Sequence, residues 1–326
     1  MDRITPTGLP NIGNSCYFNA FIQICKPLAY EVLTKNLLAP LVEEVDDDAD
    51  DTAKKRTENN KSMNRLLTVF RTFYEDYFQG GQLSKSYRDF YLTVNAIRKF
   101  TLGSQQDSSE GITLVTDLIK SNQSAKHNVT VAFNQVIECA NCHTYKICDV
   151  QEEAMLFSNS LNMSVQVLTS FKEFLGNTLI RNNFEPTDPN IFTCHCPNKK
   201  LTIRMVLTQL PKYLYINVGR YSNNGNKLTK RLEVANNFSV QVPCNLEDVV
   251  SKKNNAKIEH DYDLFGIVIH HGGSLHSGHY VAYIRDNVHS ETWHYCDDSR
   301  ITTMNNFNLQ SSDIQANCTV LLYVRR

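Results

Sequence analysis

Near residue 129 the apolar pattern changes period, and that change restricts the chain to folds that keep helices and strands apart. Before it, Tyr17, Phe18, Phe21, Ile22, Ile24, Cys25 and Leu28 fall at helical spacing, and two further helical stretches lie near 63–78 and 105–120. After it come β-branched and aromatic runs that read as strands: VTVAFNQVIEC, LTIRMVL, YLYINVG, LFGIVIHH, HYVAYIRD, TWHYC and CTVLLYVRR. There is no internal repeat. Helices first and strands later predict an α+β protein, and 326 residues are enough to bury a sizeable core.

The first helix is expected to be capped by the side chain of Asn14 or Ser15. Pro27 should end or kink it, or sit in the first turn of a second helix. Residues 43–62, EEVDDDADDTAKKRTENNKS, have almost no apolar area with which to offset ordering entropy, so they read as a mobile surface loop.

Charge excludes some function classes. Lys plus Arg is 33 and Asp plus Glu is 34, so the chain has no global pull towards nucleic acid or an anionic membrane. No apolar run has membrane-spanning length, and MDRITPTGLPNIG lacks the apolar core of a signal peptide. The expected location is inside the cell, cytoplasmic and/or nuclear. In that compartment ten cysteines are thiols rather than disulfides, and packing, metal binding or catalysis must account for them.

Cys16, in GNSCYFNA, opens the first helix. Only a thiolate attacks, and the N–H groups and dipole of a helix start lower a thiol's pKa. The alternative is a buried small hydrophobe. A nucleophile would need a base, a group to orient that base, and an oxyanion donor. The stretch YDLFGIVIHHGGSLHSGHYVAYIRDNVHSETWHYCDD (262–298) offers the first two. If the turn after HYVAYIRD centres on Val288, His279 stands directly opposite Asp297 on one face of an antiparallel pair. A carboxylate there fixes the imidazole's tautomer and stabilises its cation. A one-residue bulge would substitute Asp298. His270, His271, His276, His289 and His294 read as polar turn and edge residues.

Cys139 and Cys142 form a C-x-x-C knuckle in ECANCH, and Cys194 and Cys196 a C-x-C pair in FTCHCPNKK. Four thiolates on two knuckles make a tetrahedral structural zinc site. His143, His195 and Cys148 are candidate substitutes, and leftover cysteines of a lost site are the alternative. Cys25, Cys244, Cys296 and Cys318 read as packing residues.

These motifs carry a resemblance. GLPNIGNSCYFNAFIQ (8–23) resembles the cysteine box of the ubiquitin-specific protease family, and GSLHSGHYVAYIRD with WHYCDDSRITTM its histidine box. QQDSSEGITLVTDLI (105–119), LPKYLYINVGRY (210–221) and the closing LLYVRR are similar to its intervening stretches, in family order. The resemblance implies a papain-like cysteine protease fold: a single catalytic domain over 1–326 with a helical thumb (about 1–125), β fingers bearing zinc (about 129–215) and a β-rich palm (about 200–326). It implies Cys16 as nucleophile, His279 as base, Asp297 as orienting acid, Asp298 as accessory group and Asn11 as oxyanion donor. It further implies a structural zinc with no catalytic cofactor, and a monomer acting on ubiquitin or ubiquitinated proteins. Asp107 is a candidate contact for a basic ubiquitin tail or a helix N-cap, and Glu110 is expected to steady the start of that helix. Gly278, with Gly272 and Gly273, lets backbone approach the tail or serves only the turn. Gly111 stands where the family has Phe, so a packing gap is expected. The implied activity is cleavage after the C-terminal glycine of ubiquitin. Another ubiquitin-like modifier as substrate, or a scaffold that binds ubiquitin without turnover, are the competing readings.

Overall fold

The computed structural model describes residues 5–42, 50–81, 83–157, 192–196, 200–222, 224–247 and 256–326. Four helices come first: α1 (Cys16–Thr34), α2 (Asp51–Gln79), α3 (Leu83–Arg98) and α4 (Ser108–Lys120). They pack together over a core rich in aromatic rings, where Phe18 meets Phe21, Tyr87, Phe90 and Tyr91 edge-on. Helix α1 runs through the middle and is buried on nearly every side, its polar Asn19, Gln23, Lys26 and Glu31 included. It is continuous through Pro27, contrary to the expected break. Hydroxyls of Tyr74 and Tyr215 donate to the Ile22 and Ile24 carbonyls. They flank the Gln23 carbonyl, whose usual helical partner the proline cannot supply.

Helix α2 overturns the loop reading of 43–62. Residues 43–49 lie outside the described residues, but Asp51 to Ser62 form the first turns of a helix that continues to Gln79. Asp50 caps it, its carboxylate accepting from the Ala53 N–H at 2.7 Å. Leu66, Leu67, Phe70, Phe73, Tyr74 and Tyr77 anchor its buried stripe, and a helix once nucleated propagates cheaply through Ala, Lys, Arg and Glu. Helix α3 was not anticipated at all, although Tyr87, Phe90, Tyr91 and Val94 bury one face of it.

Gly111 leaves no gap. A Cβ there would lie 2.5 Å from Cδ1 of Phe21, so that ring already fills the space a side chain would use. Gly111→Ala is expected to lower stability by about 1–3 kcal/mol through overpacking, despite the helix propensity it adds. Urea denaturation of Gly111→Ala, and of Gly111→Ala combined with Phe21→Leu, checks this. The second change should restore much of the loss.

The strands are β1 (Val131–Cys139), β2 (Tyr145–Glu153), β3 (Leu156–Phe157), β4 (Leu201–Gln209), β5 (Tyr213–Asn217), β6 (Asn237–Pro243), β7 (Lys257–Ser274), β8 (Ser277–Arg285), β9 (Trp293–Asp297), β10 (Arg300–Met304) and, after the short helix α5 (Ser312–Asn317), β11 (Cys318–Arg325). The large sheet has the order β10-β9-β8-β7-β11-β5-β3, with β6 pairing the first part of β7. Its pairs are antiparallel except β3 with β5. One face packs on α1, and the other carries a second core around Leu214, Ile216, Ile267 and Leu321. A separate three-stranded sheet, β2-β1-β4, ends in a small cluster of Ile137, Cys139, Phe192, Leu201 and Ile203.

A buried carboxylate ties the helical layer to the sheet. Glu31, near the end of α1, accepts from Tyr213 at 2.6 Å and also pairs with Lys212 and Lys35. Burial works against its ionisation, yet these three donors hold it down to about 2.

Candidate active site

Cys16 is the first residue of α1 and is 3% exposed. The turn before it is shaped by side chains. Oδ1 of Asn11 accepts from the backbone N–H groups of Gly13 and Ser15, at 3.1 and 3.3 Å. Gly13 and Asn14 both take positive φ, 98° and 50°. The expected side-chain cap is not there: Ser15 stands at the N-cap without capping, and its hydroxyl accepts instead from the Ile12 N–H at 3.0 Å. Asn14 reaches outward, its amide donating to the Gly103 carbonyl at 2.7 Å. That bond ties the cysteine turn to the loop joining α3 and α4.

His279 lies in β8 and Asp297 ends β9, with Nε2 to Oδ1 at 2.6 Å. The register differs from expectation. Ala282 faces Cys296 and Arg285 faces Trp293, so the hairpin centres one residue later than Val288. Each residue is thereby opposed to a position two further along. The side-chain face is unchanged because two is the strand period. His279 and Asp297 therefore meet diagonally, still on one face.

The two acids are told apart by their partners. Asp298 has φ 50° in the tight turn between β9 and β10. Its carboxylate accepts from Asn19 Nδ2 at 2.7 Å and Asn11 Nδ2 at 2.9 Å, and its carbonyl accepts from the Leu9 N–H at 2.9 Å. It clamps the β9–β10 turn to α1 and to the cysteine turn.

His279 is pushed up to about 9. The hydrogen bond with Cys16 is the main cause, Asp297 adds to it, and partial burial opposes both. The ring has two nitrogens and Asp297 holds Nε2, so Nδ1 serves the thiol. The imidazole is thereby placed to take the thiol's proton. His279, Asp297 and Asp298 also bring ligand-type atoms within 4.8 Å of one another. The hydrogen bonds just given account for all three without a metal.

Asp107 is the N-cap of α4, with Oδ1 accepting from the Ser109 N–H at 2.9 Å, and burial raises its pKa. Glu110 lies in the first turn of α4, as expected. At Gly278 φ is 144°, and a Cβ would meet the His271 carbonyl at 2.2 Å and His270 Nε2 at 2.6 Å. The turn itself therefore requires this glycine.

His270 and His294 are not the turn and edge residues that the sequence suggests. Both are buried, at 0% and 1% exposure. His294 bonds Asp286 at 2.5 Å. His270 bonds Gln105 through Nε2 at 3.1 Å and the Tyr221 hydroxyl through Nδ1 at 2.9 Å. The signal for His270 was its place inside the apolar run LFGIVIHH, which loops rarely contain. Cys25, Cys296 and Cys318 are buried as expected, whereas Cys244 is exposed.

The knuckle thiols converge. Sγ atoms of Cys139, Cys142, Cys194 and Cys196 all lie within 4.8 Å of one another. Cys139 ends β1, and its N–H donates to the Thr144 carbonyl at 3.0 Å, closing the turn that carries Cys142. Ala140 N–H donates to the Lys200 carbonyl at 2.8 Å, joining this turn to the segment of the second knuckle. Thiolates in a tetrahedral Zn²⁺ site stand about 3.8 Å apart, given Zn–S near 2.3 Å, so the four thiols fit a structural zinc, C-x-C spacing included. The exposed His143 and His195 and the half-buried Cys148 are not part of this group.

Comparison with known proteins fits this geometry. A family model described as "Ubiquitin carboxyl-terminal hydrolase" matches residues 7–323. The chain is 25% identical over 315 residues to ubiquitin carboxyl-terminal hydrolase 25 of Arabidopsis thaliana, covering 91% of this chain and 44% of that protein. It is 25% identical over 378 residues to ubiquitin carboxyl-terminal hydrolase 3 of Mus musculus, covering 99% and 68%. It thus spans less than half the length of the Arabidopsis relative. Among solved structures, that of the SAGA Ubp8/Sgf11/Sus1/Sgf73 DUB module bound to ubiquitin aldehyde superposes with a TM-score of 0.68 at 16% identity, over 98% of this chain and 69% of that one. The likeness shows the fold: helical thumb, β-rich palm and fingers with a zinc-type cysteine cluster.

Proposed function

This chain belongs to the ubiquitin carboxyl-terminal hydrolase family, and from that membership we propose that it is a thiol-dependent deubiquitinase. The observation that carries the reading is the line Cys16–His279–Asp297 at the start of a buried helix. His279 takes the Cys16 proton, and Asp297 holds the resulting imidazolium. The thiolate attacks the carbonyl of the C-terminal glycine of ubiquitin, and the oxyanion is met by the second amide N–H of Asn11 and backbone N–H groups at the helix start. His279 then protonates the leaving amine, the C–N bond breaks, and a thioester to Cys16 remains. Water, deprotonated by His279, hydrolyses that thioester and restores the thiol. Asp298 acts through Asn11 and Asn19 as a positioning residue.

The half-buried Asp107 is assigned as a contact for an arginine of the ubiquitin tail, with its N-cap bond leaving Oδ2 for that role. Gly278 lines the approach to the cleft. We place thumb, fingers and palm at about 1–125, 129–215 and 200–326; of the fingers, residues 158–191 lie outside the described residues. Action inside the cell, in cytoplasm and/or nucleus, suits ten cysteines of which none forms a disulfide, and the proposed state is a monomer. Among the described residues no helix is long and apolar enough to cross a membrane.

The test is ubiquitin carrying a thiol-reactive electrophile at its C-terminus, read by intact mass and peptide mapping with Cys16→Ala as control. One ubiquitin added at Cys16, and none in the variant, is expected. No adduct in folded, zinc-replete protein overturns the reading and points to another ubiquitin-like modifier. An adduct without hydrolysis of ubiquitin conjugates points to a binding scaffold.

A further inference from the structure

The loop joining α3 and α4 bonds to the turn that presents Cys16 and to the strand next to the one that carries His279. At Gly103 its carbonyl accepts from Asn14, in the turn that presents Cys16, at 2.7 Å. Two residues on, Gln105 bonds His270 of β7 at 3.1 Å. His270 and its neighbour His271 pair across the ladder with Tyr280 and His279 of β8. A short path therefore runs Cys16 turn, Asn14, Gly103, Gln105, His270, β8, His279. It crosses between the helical layer and the sheet beside the reacting groups.

The Asn14–Gly103 bond lies at the surface, but the Gln105–His270 part of the path is buried and directional. His270 is 0% and Gln105 8% exposed. The amide nitrogen of Gln105 has only protons to offer, so Nε2 of His270 accepts and its proton sits on Nδ1. Nδ1–H then donates to the Tyr221 hydroxyl at 2.9 Å, which is itself 3.4 Å from the Tyr280 hydroxyl. The ring also presses against the β7–β8 turn: a Cβ at Gly272 would lie 2.8 Å from Cε1, and one at Gly278 2.6 Å from Nε2. Burial, with Lys227 nearby, pushes His270 down to about 4, so it is neutral under working conditions.

We propose that Gln105 and His270 form a positioning strut that sets the separation of Cys16 from His279 across the cleft. This rests on the proposed thiol chemistry at Cys16, and neither strut residue exchanges a proton with substrate. Misplacement of reacting groups by about 1 Å can cost about 100-fold, so a short link between the two walls, buried where it meets the sheet, has leverage on the rate.

The experiment uses Gln105→Ala, Gln105→Glu, His270→Phe and the double variant Gln105→Ala/His270→Phe. A ubiquitin C-terminal fluorogenic amide gives kcat and KM. Alkylation of Cys16 by iodoacetamide as a function of pH reports the thiol–imidazole pair without any ubiquitin. Gln105→Ala is expected to lower kcat about 10–100-fold with KM within about threefold. Its alkylation at neutral pH should slow, with the acid limb of the profile moved up. Glutamate spans the same distance and accepts from the other ring tautomer or the imidazolium, so Gln105→Glu should stay within about fivefold of wild type. His270→Phe keeps the packing and should match Gln105→Ala, with the double variant no worse than either single one. Four results would overturn the strut: unchanged kcat and alkylation in Gln105→Ala, a rise in KM alone, additive losses in the double variant, or activity lost only in step with a melting temperature lowered by more than about 5 °C. Alkylation needs no ubiquitin, so a wild type inactive on ubiquitin would defeat the deubiquitinase reading and leave the strut testable.

Discussion

Asp297→Asn is expected to lower kcat on a ubiquitin C-terminal amide by about 10²–10⁴-fold, the span of a well-placed acid–base group. Asp298→Asn is expected to cost about tenfold, by loosening the turn around the nucleophile. The difference follows from partners. Asp297 meets the base itself, at 2.6 Å from His279 Nε2. The Asp298 carboxylate instead accepts from Asn11 and Asn19. An asparagine at 297 turns either an N–H against the ring N–H or a neutral carbonyl towards it, so the imidazolium loses its counter-charge.

The pH profile separates the two further. His279 is raised to about 9 by the Cys16 bond first and Asp297 next. The imidazolium needed to protonate the leaving amine is therefore present at neutral pH and lost as pH rises through about 9. Removing Asp297 takes away one upward influence, so the alkaline limb should move towards neutrality. In Asp298→Asn it should stay in place. A pH series of kcat/KM on both variants measures this, and equal losses with unmoved limbs would break the assignment of Asp297 as the orienting acid.

How far the sequence could be read depended on how local each cause was. The face shared by His279 and Asp297 was legible because strand alternation depends only on parity. Their register was not, since it rests on where a polar turn closes: Ser290 N–H bonds the Asn287 carbonyl at 3.1 Å, which composition does not announce. Asp51–Ser62 was lost for a related reason. The segment is polar enough to be solvated as a loop, with Thr57 its one buried residue among those described, and what keeps it helical is the apolar stripe beginning at Leu66, outside the segment itself. Its long-range tie runs to backbone: Asn60 Nδ2 donates to the Val42 carbonyl at 2.5 Å. At Gly111 the missing Phe was visible, but the ring of Phe21 that replaces it came from another helix. His270 shows the same limit in the site. A histidine within an apolar run signals burial, but its partners Gln105 and Tyr221 are 165 and 49 residues away. Which polar groups satisfy it is a property of the fold.

Removing zinc should unfold the tip of the fingers while leaving the Cys16–His279 pair in place. The tip cluster around Ile137, Phe192, Leu201 and Ile203 is small, and its fifth buried member, Cys139, is one of the thiol ligands. Apolar burial of that extent cannot order two knuckles alone, whereas a structural zinc site supplies about 10–16 kcal/mol of apparent binding energy in small peptides. The thiols also obstruct one another without a cation. Cys142 is lowered chiefly by its bond to Thr144, while Cys196 is raised chiefly by its bond to Cys142, so they do not all ionise together until a metal compensates their charge. Metal analysis should find about one zinc per chain. A strong chelator, or Cys142→Ser with Cys196→Ser, should remove it and expose the β1–β2 turn to limited proteolysis and amide exchange. Alkylation of Cys16 should persist, because α1 is held by the separate aromatic core. Zinc-free protein with an equally protected β1–β2 turn would mean that the four cysteines pack as thiols and the metal reading is wrong. Loss of Cys16 reactivity together with the tip would mean instead that fingers and catalytic core unfold as one cooperative unit.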